Sequence, residues 1–209
     1  IENIERIEVV RGSSAASYGG NAFQALVNII TVDPVLSQGT TVIASHGNQG
    51  VRDYTLRHGG KLGQDNEFRF TYQSKQDSGL REASADPAID GYKSQLFDLR
   101  ADFLIDNTTS AQVSLGHMLA AMPHPDGDGD ETPYFNQAWR ATYLQALWQK
   151  RWSASDETQL RYSFVRDESS NRYSAFKDLS DVGLGAVPYT YDPKGSSANR
   201  HEFELLKRT

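Results

Sequence analysis

The chain has 209 residues, no cysteine and a formal net charge of -6, from 21 Lys and Arg against 27 Asp and Glu. Disulfides and thiol chemistry are excluded, a nucleic-acid partner is disfavoured by the acidic balance, and no apolar run reaches the length of a membrane helix. A mean hydropathy of -0.59 still leaves room for membrane strands, because strands that alternate apolar and polar residues average out as hydrophilic.

Residues 4–31 read IERIEVVRGSSAASYGGNAFQALVNIIT. Ile7 and Val9 alternate with Glu8 and Val10, which predicts a strand with one buried face, ended by Gly12. Ser13 can cap one or two helical turns that stop at Gly19-Gly20. Residues 26–31 predict a second strand, closed by Asp33-Pro34.

This stretch resembles the end of the plug domain of TonB-dependent outer-membrane receptors. The matching residues are 4–12 (IERIEVVRG), Ala15, Tyr18-Gly19 and 27–31 (VNIIT). Ser13 replaces the family's usual Pro, and Ala25-Leu26 replaces its frequent Gly-Gly or Gly-Val.

From Pro34 onward the period changes to two. Strands are predicted at 40–46, 51–58, 66–75, 95–105, 110–120, 139–152, 157–167 and 199–207, several of them longer than the usual soluble strand of about five or six residues. Short turns at 47–50, 59–65, 106–109 and 153–156 contrast with long polar connections at 76–94, 121–138 and 168–198. From the third strand onward long and short connections alternate, as in outer-membrane barrels. A soluble β-sandwich gives no reason to place every long loop at one end.

The strand faces agree. Phe68, Phe70 and Tyr72 alternate with Arg69, Thr71 and Gln73, and Phe97, Leu99, Ala101 and Phe103 alternate with Asp98, Arg100 and Asp102. An Asp-x-Arg-x-Asp row opposite apolar residues suits a wet lumen. In 139–152, Leu144, Ala146 and Trp148 share a face with Arg140 and Lys150, near the strand ends where lipid-facing charge costs least. The expected fold is mostly β: the end of a small α+β plug domain over 1–37, then the N-terminal strands of a transmembrane β-barrel over 38–209. The barrel part is expected as a curved, open, antiparallel meander of about eight strands, with helical turns confined to the plug end. The chain is expected to be an internal piece of a longer receptor.

No enzyme is expected. Gly12-Ser13-Ser14-Ala15-Ala16 lacks the final Gly of a nucleophile elbow. Gly183-Leu184-Gly185 lacks the third Gly of a dinucleotide loop, and His201-Glu202-Phe203-Glu204 has no second His. Asp126, Asp128 and Asp130 form the densest set of oxygen ligands, suited to calcium. Glu131 stands where an EF-hand needs Gly and Gln137 where it needs Glu, so the choice lies between an irregular calcium site, the only cofactor expectation, and a solvated acidic tip. Arg81, Tyr92, Tyr134, Arg172, Tyr173, Tyr189 and Tyr191 gather aromatic and cationic groups in the long loops. They suit an anionic, ring-bearing metal chelate, or else an aromatic interface girdle beside ordinary loop charges.

The family resemblance implies an active importer in the Gram-negative cell outer membrane, surrounded by its lipid and driven by the TonB–ExbB–ExbD system. A ferric siderophore is the most frequent ligand class; haem, cobalamin, copper and sugars are alternatives. A passive channel or a soluble β-sandwich binding module are the readings of other classes. The resemblance also implies that Arg11 pairs with acidic residues of the barrel's inner wall, the alternative being that it solvates the turn; we add Glu8 as a neighbour in that plug–barrel lock.

Overall fold

The computed structural model describes residues 3–12, 25–79, 91–124, 135–170, 173–191 and 195–209. A two-stranded antiparallel ribbon comes first, β1 (Ile4–Arg11) with β2 (Ala25–Thr31). A 3-10 turn, Pro34–Ser37, follows; Asp33 caps it by accepting from the Val35 N–H at 3.0 Å. Then come β3 (Gly39–His46), β4 (Arg52–Lys61), β5 (Glu67–Asp77), β6 (Tyr92–Asp106), β7 (Thr109–His124), β8 (Phe135–Arg151) and β9 (Glu157–Ser170). A hairpin of β10 (Tyr173–Asp178) and β11 (Ala186–Tyr191) intervenes before β12 (Ser196–Arg208).

β3 to β9 pair in sequence order, and β12 pairs with β9, giving one eight-stranded antiparallel sheet with β3 and β12 at its edges. All eight predicted strands are present. Most are longer than predicted, chiefly at the end carrying the long connections. The opposite end is closed tightly: Asp106 accepts from the Thr108 N–H at 2.7 Å, and Trp152 N donates to the Asp156 carbonyl at 2.8 Å. The 168–198 connection is not structureless, since it holds the β10–β11 hairpin. Its 3-10 turn Ser180–Val182, ended by Gly183 at φ 79°, corrects the expectation that helical turns stay in the plug end. There Leu179 and Gly185 close a short loop through backbone hydrogen bonds.

The register sorts side chains onto two faces. One is polar, with Arg57, Arg69, Thr71, Asp98, Arg100 and Asp102; the other carries Leu56, Phe70, Phe97, Leu99, Leu144 and Phe164. The apolar band crosses the ladder obliquely. On β3 it is Val42 and Ala44, in the rows of Phe97 and Gln95; on β12 it is Phe203 and Leu205, in the rows of Ala101 and Phe103. The shift of about six residues, roughly 20 Å, over seven strand spacings, roughly 34 Å, is a slope of about 30°, close to the strand tilt of a closed barrel. A band held level across a bilayer has to run obliquely through tilted strands; the two faces of a flat sandwich impose no such drift.

Ile7, Val9, Val27 and Ile29 share one face of the ribbon and are 56%, 58%, 59% and 55% exposed. The sequence predicts that face buried; among the described residues nothing covers it. A two-stranded ribbon cannot bury its own face.

Candidate functional site

The seam where the segment leaving the ribbon meets the polar face of the sheet is the most densely bonded polar site among the described residues. Arg69, on β5, is 1% exposed. It donates to the Val32 carbonyl and lies 3.8 Å from Asp98. Its Nε has no partner among the described residues. Directly opposite on β6, Arg100 grips Asp102 with two donors, Nε to Oδ1 at 3.0 Å and Nη2 to Oδ2 at 2.7 Å. Its remaining Nη1 donates to Thr31 Oγ1 at 3.1 Å, and Asp33 lies 3.9 Å away. Asn3, beside Val32 at the same end of the ribbon but leading into its other strand, reaches the same wall, donating to Thr71 Oγ1 at 2.8 Å and to Asp98 Oδ1 at 3.1 Å.

Two glycines make room for this seam. A Cβ on Gly59, next to Arg69 across the β4–β5 ladder, would run into the Ser37 carbonyl group. Its absence lets the 3-10 turn lie against the sheet, with Pro34 and Ser37 buried. Gly116 stands between Asp98 and Tyr143 in one cross-strand row. A Cβ there would collide with the Tyr143 ring. The ring therefore lies over the glycine, and its hydroxyl reaches past β7 to donate to Asp98 Oδ2 at 2.5 Å. Asp98 thus accepts from the sheet and from the incoming segment at once.

No group of three metal-ligating side chains occurs among the described residues. Charge and hydrogen bonds here hold one piece of chain against another.

The residues expected to form the plug–barrel lock stand elsewhere. Arg11 ends β1 opposite Ala25, exposed, and pairs with no described residue. Glu8 accepts from Arg6 Nε at 2.8 Å and from Asn28 at 3.1 Å, within the ribbon. Those bonds, Arg6 first, hold its carboxyl below the usual carboxylate range. Of the loop candidates, Tyr92 opens β6, half-buried, and Tyr189 lies on β11. Tyr173 and Tyr191 are register partners in the hairpin. Arg81, Tyr134, Arg172, Asp126, Asp128 and Asp130 lie outside the described residues. Sequence reasoning missed Asn3, Thr31, Val32, Arg69 and Tyr143. The Asp98-x-Arg100-x-Asp102 row was the signal for them, since such a row needs counter-groups beyond its own strand.

No protein-family model matches the chain. A vitamin B12 transporter, BtuB, of Vibrio cholerae serotype O1 is 33% identical over 76 residues, 36% of this chain. BtuB of Vibrio vulnificus is 29% identical over 120 residues, 56% of this chain. The chain spans only 12% and 19% of the length of these two relatives. In fold it is similar to the siderophore receptor PiuA of Acinetobacter baumannii, with a TM-score of 0.63 and 13% identity over 98% of this chain and 32% of that one. With the motif of residues 4–31, the oblique apolar band and the polar seam that takes up the end of the ribbon, these likenesses support a fragment of a TonB-dependent outer-membrane receptor.

Proposed function

We propose that residues 1–37 are the end of a plug and residues 38–209 the first strands of the barrel around it, in a receptor that imports a scarce ligand across the outer membrane at the expense of the TonB–ExbB–ExbD system. The observation that carries this reading is the side of the sheet on which the ribbon's exit segment docks. Asn3, Thr31 and Val32 bond to the polar face, the side a lumen would occupy, while the opposite face keeps its apolar band. The ligand is a metal chelate, with a ferric siderophore as the first choice and Arg81, Tyr92, Tyr134, Arg172, Tyr173, Tyr189 and Tyr191 as its contacts. Cobalamin is the second reading, favoured by the names of the two Vibrio relatives. Arg11 and Glu8 belong to the plug–barrel lock, and Asp126, Asp128 and Asp130 hold calcium in the loop.

Uptake of labelled ferric siderophores and of labelled cobalamin, by cells with and without TonB, tests the reading. Saturable uptake of one ligand that disappears without TonB is expected. Uptake that is unsaturable and indifferent to TonB would make the protein a passive channel. Calcium should raise the thermal midpoint of the receptor, and the triple change of Asp126, Asp128 and Asp130 to Asn should abolish that rise.

A further inference from the structure

The apolar face carries charge at both ends, and the two ends are balanced differently. At the short-turn end Lys150 lies 3.7 Å from Asp106, and Lys207 lies 3.8 Å from Asp156. Each cation there has its own carboxylate from a turn. At the other end the same face carries Arg52, Lys93, Arg140 and Arg166, and Glu168 is the one carboxylate on it among the described residues. Arg140 Nη1 donates to Glu168 Oε2 at 3.2 Å and Arg166 Nη2 to Oε1 at 2.7 Å. Two guanidinium groups, with side chains 57% and 48% exposed, therefore share one acceptor and keep further donors unspent. His117, on the next strand, is engaged with Thr142 Oγ1 at 2.8 Å.

Their height follows from the strand. Lys150 and Arg140 bracket Thr142, Leu144, Ala146 and Trp148 on the apolar face of β8. The interval is about 34 Å along an extended strand and about 26 Å along a barrel axis at a tilt of roughly 40°, which matches an outer-membrane barrel's apolar belt of about 25 Å. Arg140 and Arg166 thus stand where hydrocarbon ends and headgroups begin, on the side of the long connections. An excess of arginine at that level, in a chain whose net charge is -6, calls for an anion from the lipid itself.

The geometry points to a phosphate-headgroup site for an anionic lipid of the outer leaflet, lipid A in a Gram-negative membrane. Arg140 and Arg166 form its core, Lys93 flanks it, and Glu168, which accepts from both arginines, competes with the phosphate for their charge. This rests on the outer-membrane reading above, but not on import or on the identity of the ligand.

The test uses the full receptor, purified in detergent, with binding of bisphosphorylated lipid A and of its dephosphorylated counterpart read by native mass spectrometry. Phosphate is expected to tighten binding at least about fivefold, the increment of one cation at an anionic surface. R140Q/R166Q should remove that difference, E168Q should enlarge it, and R161Q, which removes a cation from the polar face, should leave it alone. Equal binding of the two lipids, or an E168Q receptor that binds the phosphorylated lipid no better than the unmutated one, overturns the proposal even where R140Q/R166Q fails to assemble. A receptor that imports but is blind to phosphate fails this inference alone. One that discriminates the lipids but does not import fails the import reading alone.

Discussion

Arg69 and Arg140 stand on one sheet and point to opposite sides of it. Arg69 is enclosed and bonded to a backbone carbonyl of another segment; Arg140 is half in the open and shares a carboxylate with a second arginine. The difference teaches that in a one-layer wall the environment of a charge is set by what docks on each face. Arg69 is buried because residues 31–37 lie over it, and removing either partner strands the other. Arg140 is covered by no protein among the described residues, so its removal strands nothing in the fold.

The contrast predicts a graded set of losses in the full receptor, measured by urea unfolding in lipid. Arg69→Met should cost most, about 3 kcal/mol, because it leaves the Val32 carbonyl without its donor and Asp98 without the cation beside it. It should also open residues 31–38 to protease. An unchanged midpoint would mean that the exit segment is held by something other than this arginine. Gly59→Ala comes next, at about 2 kcal/mol, since the new methyl meets the backbone of Ser37 and Gln38 and the segment has to lift.

Gly116→Ala should cost about 1 kcal/mol by displacing the Tyr143 ring and weakening its bond to Asp98. In a Tyr143→Ala background the same change should cost almost nothing, so a double-mutant cycle reads the coupling directly; additive losses would show that the ring is not what the glycine accommodates. Arg140→Gln should stay within about 0.5 kcal/mol of the unmutated receptor, and a loss near that of Arg69→Met would erase the distinction between the faces. Glu8→Gln should have the smallest effect. The bonds from Arg6 and Asn28 depress the Glu8 pKa below its ordinary 4.5. Its contribution is therefore present above that value and lost as pH falls through the lower folded pKa. The difference between the two proteins should vanish in acid, and a difference that grows there would have the wrong sign.

The strands were legible because period two and turn chemistry are local. Phe97, Leu99 and Ala101 against Asp98 and Arg100 announce a two-faced strand whatever lies beside it. The β10–β11 hairpin was not, because Tyr173–Asp178 and Ala186–Tyr191 are short, with Pro188 inside one of them, and they show no apolar stripe. The seam was half legible. The charged row on β6 marked a wet face, but its partners Asn3 and Thr31 are small polar groups 95 and 69 positions away, and only the fold brings them there. Gly59 and Gly116 read as gaps in the alternation. Their meaning lies in what sits above them, which no spacing along the chain encodes.

The obliquity of the apolar band has a consequence for how this wall can be engineered. Residues that face each other across the ladder do not stand alike to the band: Tyr54 and Arg140 occupy one row, yet Tyr54 falls within the apolar band and Arg140 beyond its edge. The wall is threaded like a screw. Slipping one strand along its neighbour would drive side chains up or down through the bilayer as well as turning them to the other face. A register error is therefore opposed twice, once by the polarity of the faces and once by the thickness of the membrane, and a chain grafted from another barrel would have to match the pitch of this one as well as its hydrogen bonds.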